Sequence, residues 1–208
     1  MSKIKLFLTI ALVSLSAAAC AHTTGSVVES QRAMASIHGM ANQLNNIQME
    51  IDKAVTALND LSSGTNLTQA YNSYNRSINN ILSARDRAMA QRSNMQLNGQ
   101  QYISKWQSEL ETIQDNDVKS ALADRKEKVV ASFDDIRASL DGLRDAYQPL
   151  LTTAQEIRQA LALDLTPAGV ESLKPAIDKA KGQAETVKQK IAEVRGELEG
   201  IAGSMSPK

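Results

Sequence analysis

Apolar positions recur along this chain at alternating spacings of three and four, in four successive stretches separated by short polar breaks. The first seam is Ile37, Ala41, Leu44, Ile51, Val55 and Leu58. Ser26-Val27-Val28-Glu29 ahead of it reads as a capping box, so the pattern predicts a helix from Ser26 to about Leu61. Ser62-Ser63-Gly64-Thr65 breaks it, with Gly64 suited to the left-handed conformation that ends helices. Asn66 caps a second helix that carries Leu67, Tyr71, Tyr74, Ile78, Ile81, Ala88, Met95, Tyr102, Trp106, Leu110 and Ile113. Its polar middle, from Asn94 to Gly99, predicts a kink or local fraying.

Asp115-Asn116-Asp117 forms the next turn, with Asp117 as the expected cap. The third seam runs from Val118 and Leu122 through Val129, Phe133, Ile136, Leu140, Leu143, Tyr147, Leu150, Leu151 and Ile157 to Leu161. Pro149 lies inside it and should kink the helix. Leu165-Thr166-Pro167 is the sharpest boundary, because Thr166 is a good cap and proline suits the first helical position. The last helix has the strictest heptad: Leu173, Ile177, Ala180, Ala184, Val187, Ile191, Val194, Leu198, Ile201. Pro175 is early enough to be tolerated or to bend its first turns, and Gly203 onward reads as a frayed tail.

Four helices with short connections predict an all-α, elongated, antiparallel up-down-up-down bundle with coiled-coil-like packing. Composition agrees: aromatics are 3% of the chain and prolines number 4, a bias toward long helices and away from sheet. At 1.5 Å per residue the middle helices reach on the order of 70 Å and the outer ones roughly 50 Å. Folding back at each turn sets the start of the first helix beside Tyr102. The turn at Asp115-Asn116 then shares an end with Cys20 and reaches past the first helix.

The amino terminus changes the picture most. Lys3 and Lys5 precede the apolar run from Leu6 to Val13, small residues follow, and the only cysteine, Cys20, stands directly after Ala17-Ala18-Ala19. This is the layout of a bacterial lipoprotein signal over residues 1–19. Cys20 would carry the lipid and residues 20–25 would form a tether, with the bundle over 26–203 and a flexible tail over 204–208. The run is too short for a permanent span, which needs about 20 apolar residues. The competing outcome is ordinary signal cleavage after Ala19 or Ala21, giving a soluble periplasmic protein. Ala21 after the cysteine, in place of Asp, resembles lipoproteins sorted to the outer membrane.

Without Lys3 and Lys5, 21 basic side chains remain of 23, against 23 acidic ones, a formal charge of −2. No global basic field attracts nucleic acid. No intrachain disulfide can form, so stability rests on packing.

The stretch Tyr102, Lys105-Trp106, Glu109-Leu110, Ile113 resembles a motif of an uncharacterised proteobacterial family, domain-of-unknown-function family 2959. Tyr147-Gln148-Pro149-Leu150-Leu151, and Leu165-Thr166-Pro167-Ala168 with Ser172-Leu173, are similar to later parts of it. The resemblance implies a secreted, mostly helical envelope protein and no particular activity.

No segment reads as a catalytic, cofactor or metal site. His22 and His38 lack the converging carboxylates a helix-bundle metal centre uses. Met34, Met40, Met49, Met89 and Met95 are unclustered and read as packing residues. Arg125-Lys126-Glu127-Lys128 reads as a solvated helix face, with anionic head groups as the alternative target. The seven asparagines Asn42, Asn45, Asn46, Asn72, Asn75, Asn79 and Asn80 line either a solvent face or an interhelical register. Tyr102 and Trp106 are the candidate partner contact, expected on the buried seam. The expected role is non-enzymatic: a structural or scaffolding envelope lipoprotein, or an adaptor for an envelope complex or cell-wall component. Self-association through the last helix is a further expectation.

Overall fold

The computed structural model describes residues 23–205. These form five helices and no strand: α1 (Thr23–Ser63), α2 (Leu67–Thr112), α3 (Asn116–Leu163), α4 (Pro167–Ser172) and α5 (Lys174–Met205). The all-helical architecture stands as the apolar pattern predicts. The expected signal sequence, Cys20 and residues 21 and 22 of the expected tether lie outside the described residues, and residues 23–25, expected as tether, are already helical.

Each break has a local cause. Gly64 adopts φ +70°, and its N–H donates to Leu61 O at 3.2 Å, closing α1. The Asn66 side chain accepts from Gln69 N at 3.0 Å and starts α2. Between α2 and α3 the cap is Asp115, not the expected Asp117: its Oδ1 accepts from the N–H groups of Asp117 and Val118 at 2.9 and 3.0 Å. Thr166 caps α4 through Gly169 N at 3.1 Å, with Pro167 at the helix start.

Four sequence expectations need correction. α1 is already helical at Thr23, so Ser26 lies inside the helix and not at its start. The last helix is two: α4 stops after six residues and the chain resumes helix at Lys174. Pro175 explains this, because it has no N–H to give the preceding turn. α2 runs unbroken through Asn94–Gly99. The glycine there serves close approach, since a Cβ at Gly99 would lie 2.8 Å from Phe133 Cε1. Finally, α5 continues through Met205, which is buried, beyond the residue where the tail was expected to start. α3 passes through Pro149 as one helix.

Cross-helix bonds fix the directions. Asn80 reaches Glu50 on α1, and Gln91 donates to Ser36 O, so α2 descends along α1. Tyr74 reaches Ala154 and Arg92 reaches Asp141, so α3 rises along α2. Ser139 meets Glu197 and Arg125 meets Ser204, while Lys188 meets Asp52 and Arg195 meets Asn45, placing α5 antiparallel to both α3 and α1. The core is one continuous seam. On α5 every heptad position from Ile177 to Ile201 is buried, while Leu173 is partly buried. Of the four lateral interfaces, α1–α2 is the most extensive and α2–α3 the thinnest.

One end gathers the start of α1, the α2–α3 turn and the close of α5. There Ser30 hydrogen-bonds Tyr102, and Arg125 donates to Ser204 O. The Gly64 turn and α4 occupy the opposite end. No helix among the described residues is long and apolar enough to cross a membrane.

Candidate functional site: a groove between α2 and α3

The thin α2–α3 interface is closed at two levels and open between them. Toward the α4 end it is pinned by two buried tyrosines. Tyr74 Oη donates to Ala154 O at 2.9 Å, and Tyr147 Oη makes a longer contact of 3.4 Å to Ile81 O. Burial pushes both phenols well above the ordinary tyrosine range, although Arg158 near Tyr74 and Arg85 near Tyr147 pull the other way. Toward the other end, the Phe133 ring lies on Gly99.

Between these levels a groove of about 730 Å³ opens to solvent. Its floor comes from the far helices: Met40, Leu44 and Ile47 of α1 and Ile191 of α5, all buried. Leu140, Leu143 and Tyr147 form the α3 wall, and Ala88 the α2 wall. Small side chains make the space. Where a heptad would place a large residue, α2 carries Ala84 and Ala88, then the polar Gln91 and Arg92. Coiled-coil-like packing would close the interior by interdigitation, and over this stretch the interior is open. Ala88 fits the apolar seam of α2, and its small size beside Arg85 and Arg92 is the signal in the sequence.

The rim carries three arginines. Arg92 Nη1 reaches across to Asp141 Oδ1 at 3.1 Å, a strut between α2 and α3. Arg144 Nη1 also lies 3.1 Å from that oxygen, and its Nη2 is 3.1 Å from Asp145. Arg85 pairs with its neighbour Asp86 at 2.7 Å. The Arg92 hydrogen bond, helped by the charges of Arg92, Arg144 and Arg137, holds the Asp141 carboxyl below the usual carboxylate range. Met89, 63% exposed, overhangs the mouth. A second space, about 20 Å³ and lined by apolar surface near Ile51, Leu58 and Tyr74, offers a water no polar partners.

The residues singled out in the sequence lie elsewhere. Tyr102 is buried at 9% exposure and Trp106 partly buried, their rings 5.5 Å apart and tilted by 52°. They sit on α2 below the groove, at the end where α1 begins. Cys20 and His22 fall outside the described residues, and His38 is exposed. Among the described residues, no group of three or more His, Cys, Asp or Glu side chains is placed to hold a metal ion. Lys126 donates to Gln107 and Arg125 to Ser204 O, so part of that basic run ties α3 to its neighbours. The seven asparagines are exposed or partly exposed, with none buried. Three of them still bridge helices: Asn45 to Arg195, Asn79 to Arg158 and Asn80 to Glu50. Val118, expected on the α3 seam, is 49% exposed because it lies in the first turn of α3, beyond the close of α5, whose Ser204 is level with Arg125.

No family model matches the chain, and neither a curated protein nor a solved structure does.

Proposed function

We propose that the chain is a lipid-anchored helical rod of a bacterial envelope, held through Cys20 and facing the periplasm, that works by contact and not by catalysis. The observation carrying this reading is the polarity of the bundle. The first described residue, Thr23, stands three positions after Cys20, at the end shared by the α2–α3 turn and the close of α5. A membrane attached at Cys20 would lie at that end. α1 would then carry the Gly64 turn and α4 about 60 Å away from it. Such a rod spans a distance, and its far end is free to meet other components.

Membrane fractionation of wild type against Cys20→Ser tests the anchor. The wild type should sediment with membranes and the variant should be released; equal retention would refute anchoring by acylation. A second reading, an adaptor for an envelope complex, is favoured by Trp106, an aromatic that keeps a solvent-facing portion at the anchored end. A photo-crosslinker at position 106 in intact cells separates the two. A single discrete adduct supports the adaptor, and none supports the rod alone.

A further inference from the structure

We propose that the groove between α2 and α3 is a binding site for a single-chain fatty carboxylate. Three observations converge on that chemistry. The first is shape. On α2 the lining runs from Arg85 to Gln96, about 16 Å along the helix, and the volume of about 730 Å³ is typical of ligand sites. The space is a slot along the bundle, which suits a linear ligand.

The second observation is the floor together with the two leucines of the α3 wall. Met40, Leu44, Ile47, Leu140, Leu143 and Ile191 supply aliphatic and thioether surface and no hydrogen-bonding side-chain group. A peptide strand laid there would bury amide groups without partners, which is costly. A hydrocarbon chain has no such requirement, and methionines at floor and mouth (Met40 and Met89) can adapt to its bends.

The third is the rim. All three cationic groups there are arginines, whose guanidinium forks match a carboxylate's two oxygens. Asp86, Asp141 and Asp145 balance them in charge. Arg85 and Arg144, however, pair with chain neighbours in exposed contacts, with side chains 38% to 71% exposed. Such pairs hold weakly, and each guanidinium has five donors. A ligand carboxylate can therefore share or displace an aspartate at little cost, while its tail covers apolar surface that otherwise faces water. The site does not depend on the anchor: it is complete within residues 40–191.

The test uses the full chain carrying Cys20→Ser and carboxyl-¹³C palmitate, below its micellar concentration, with the labelled carbon followed by NMR. One saturable site with a shifted carboxyl resonance is expected. Ala88→Leu, which fills the slot, should weaken binding by roughly tenfold or more, equivalent to ~1.4 kcal/mol. Arg144→Gln, a surface change that leaves the core intact, should weaken palmitate by a similar factor while leaving the uncharged monopalmitin unchanged. Non-saturable partitioning, or palmitate binding untouched by both Ala88→Leu and Arg144→Gln, would overturn the proposal. So would monopalmitin binding as tightly as palmitate. Should Ala88→Leu fail to fold, as judged by its circular dichroism melt, the Arg144→Gln comparison decides alone.

Discussion

Removing one oxygen atom, by Tyr74→Phe, should have an effect that changes with pH. Tyr74 is wholly buried, and its hydroxyl donates to Ala154 O, a buried polar link across the thinnest interface. A neutral hydrogen bond of this kind contributes about 1 kcal/mol net. The loss at pH 7 should therefore be ~1 kcal/mol, or roughly 2–4 °C in Tm for a chain of this size. Burial raises the Tyr74 pKa in the folded state, whereas in the unfolded chain the phenol ionises near its ordinary value of about 10. The unfolded state thus releases the proton first, and wild-type stability is complete below about pH 10 and falls above it. One pH unit above that value the loss traceable to Tyr74 is ~1.4 kcal/mol, and phenylalanine escapes it. Urea unfolding followed by far-UV circular dichroism at pH 7 and pH 11 should then show the wild-type advantage vanish or slightly reverse at the higher pH. An advantage of equal or greater size at pH 11 would mean that Tyr74 is not a buried, neutral donor, and the α2–α3 seam would need to be redrawn.

Other substitutions read other parts of the structure. Tyr147→Phe should cost less than Tyr74→Phe at pH 7, since its contact is 3.4 Å, and should show the same alkaline convergence, because burial raises this phenol too. Gly99→Ala should destabilise by roughly 1–2 kcal/mol net, the clash with Phe133 outweighing the helix preference of alanine, whereas Gly142→Ala, with open space around it, should stabilise by up to ~1 kcal/mol; thermal melts of the two variants give opposite signs. Gly64→Ala forces a side chain onto φ +70° and should cost ~1 kcal/mol in the same melts. Thr166→Ala removes the α4 cap and should cost ~1 kcal/mol, with hydrogen exchange accelerated at Gly169 before any change in α5.

Long-range order was legible wherever one seam answered another. The α5 heptad from Ile177 to Ile201 is buried because α5 packs along both α3 and α1, and two of the breaks, at Gly64 with Asn66 and at Thr166, carry residues whose local chemistry admits little else. What was misread depends on partners a single helix does not show. Gly99 looked like a weak point in α2 until the Phe133 ring on α3 gave it a packing role. Asp115 and Asp117 are equally good caps in isolation, and the turn geometry chooses the first. Leu173 satisfied the heptad, yet Pro175 broke the helix beside it. The groove was hidden for the same reason. Ala88 fits an apolar seam as well as leucine does, and only its placement opposite Leu143 and Tyr147, with Arg92 held across to Asp141, reveals space where contact was expected.

The proposed rod is held at a membrane through Cys20, at the end where α1 begins. Mass spectrometry of the amino-terminal peptide from the protein isolated out of its own envelope tests this most directly. A mature chain that begins at Cys20 and carries the added mass of a diacylglycerol and an amide-linked acyl group is the expected result. A mature chain beginning at Ala21 or His22, or one that retains Cys20 as a free thiol, would contradict it.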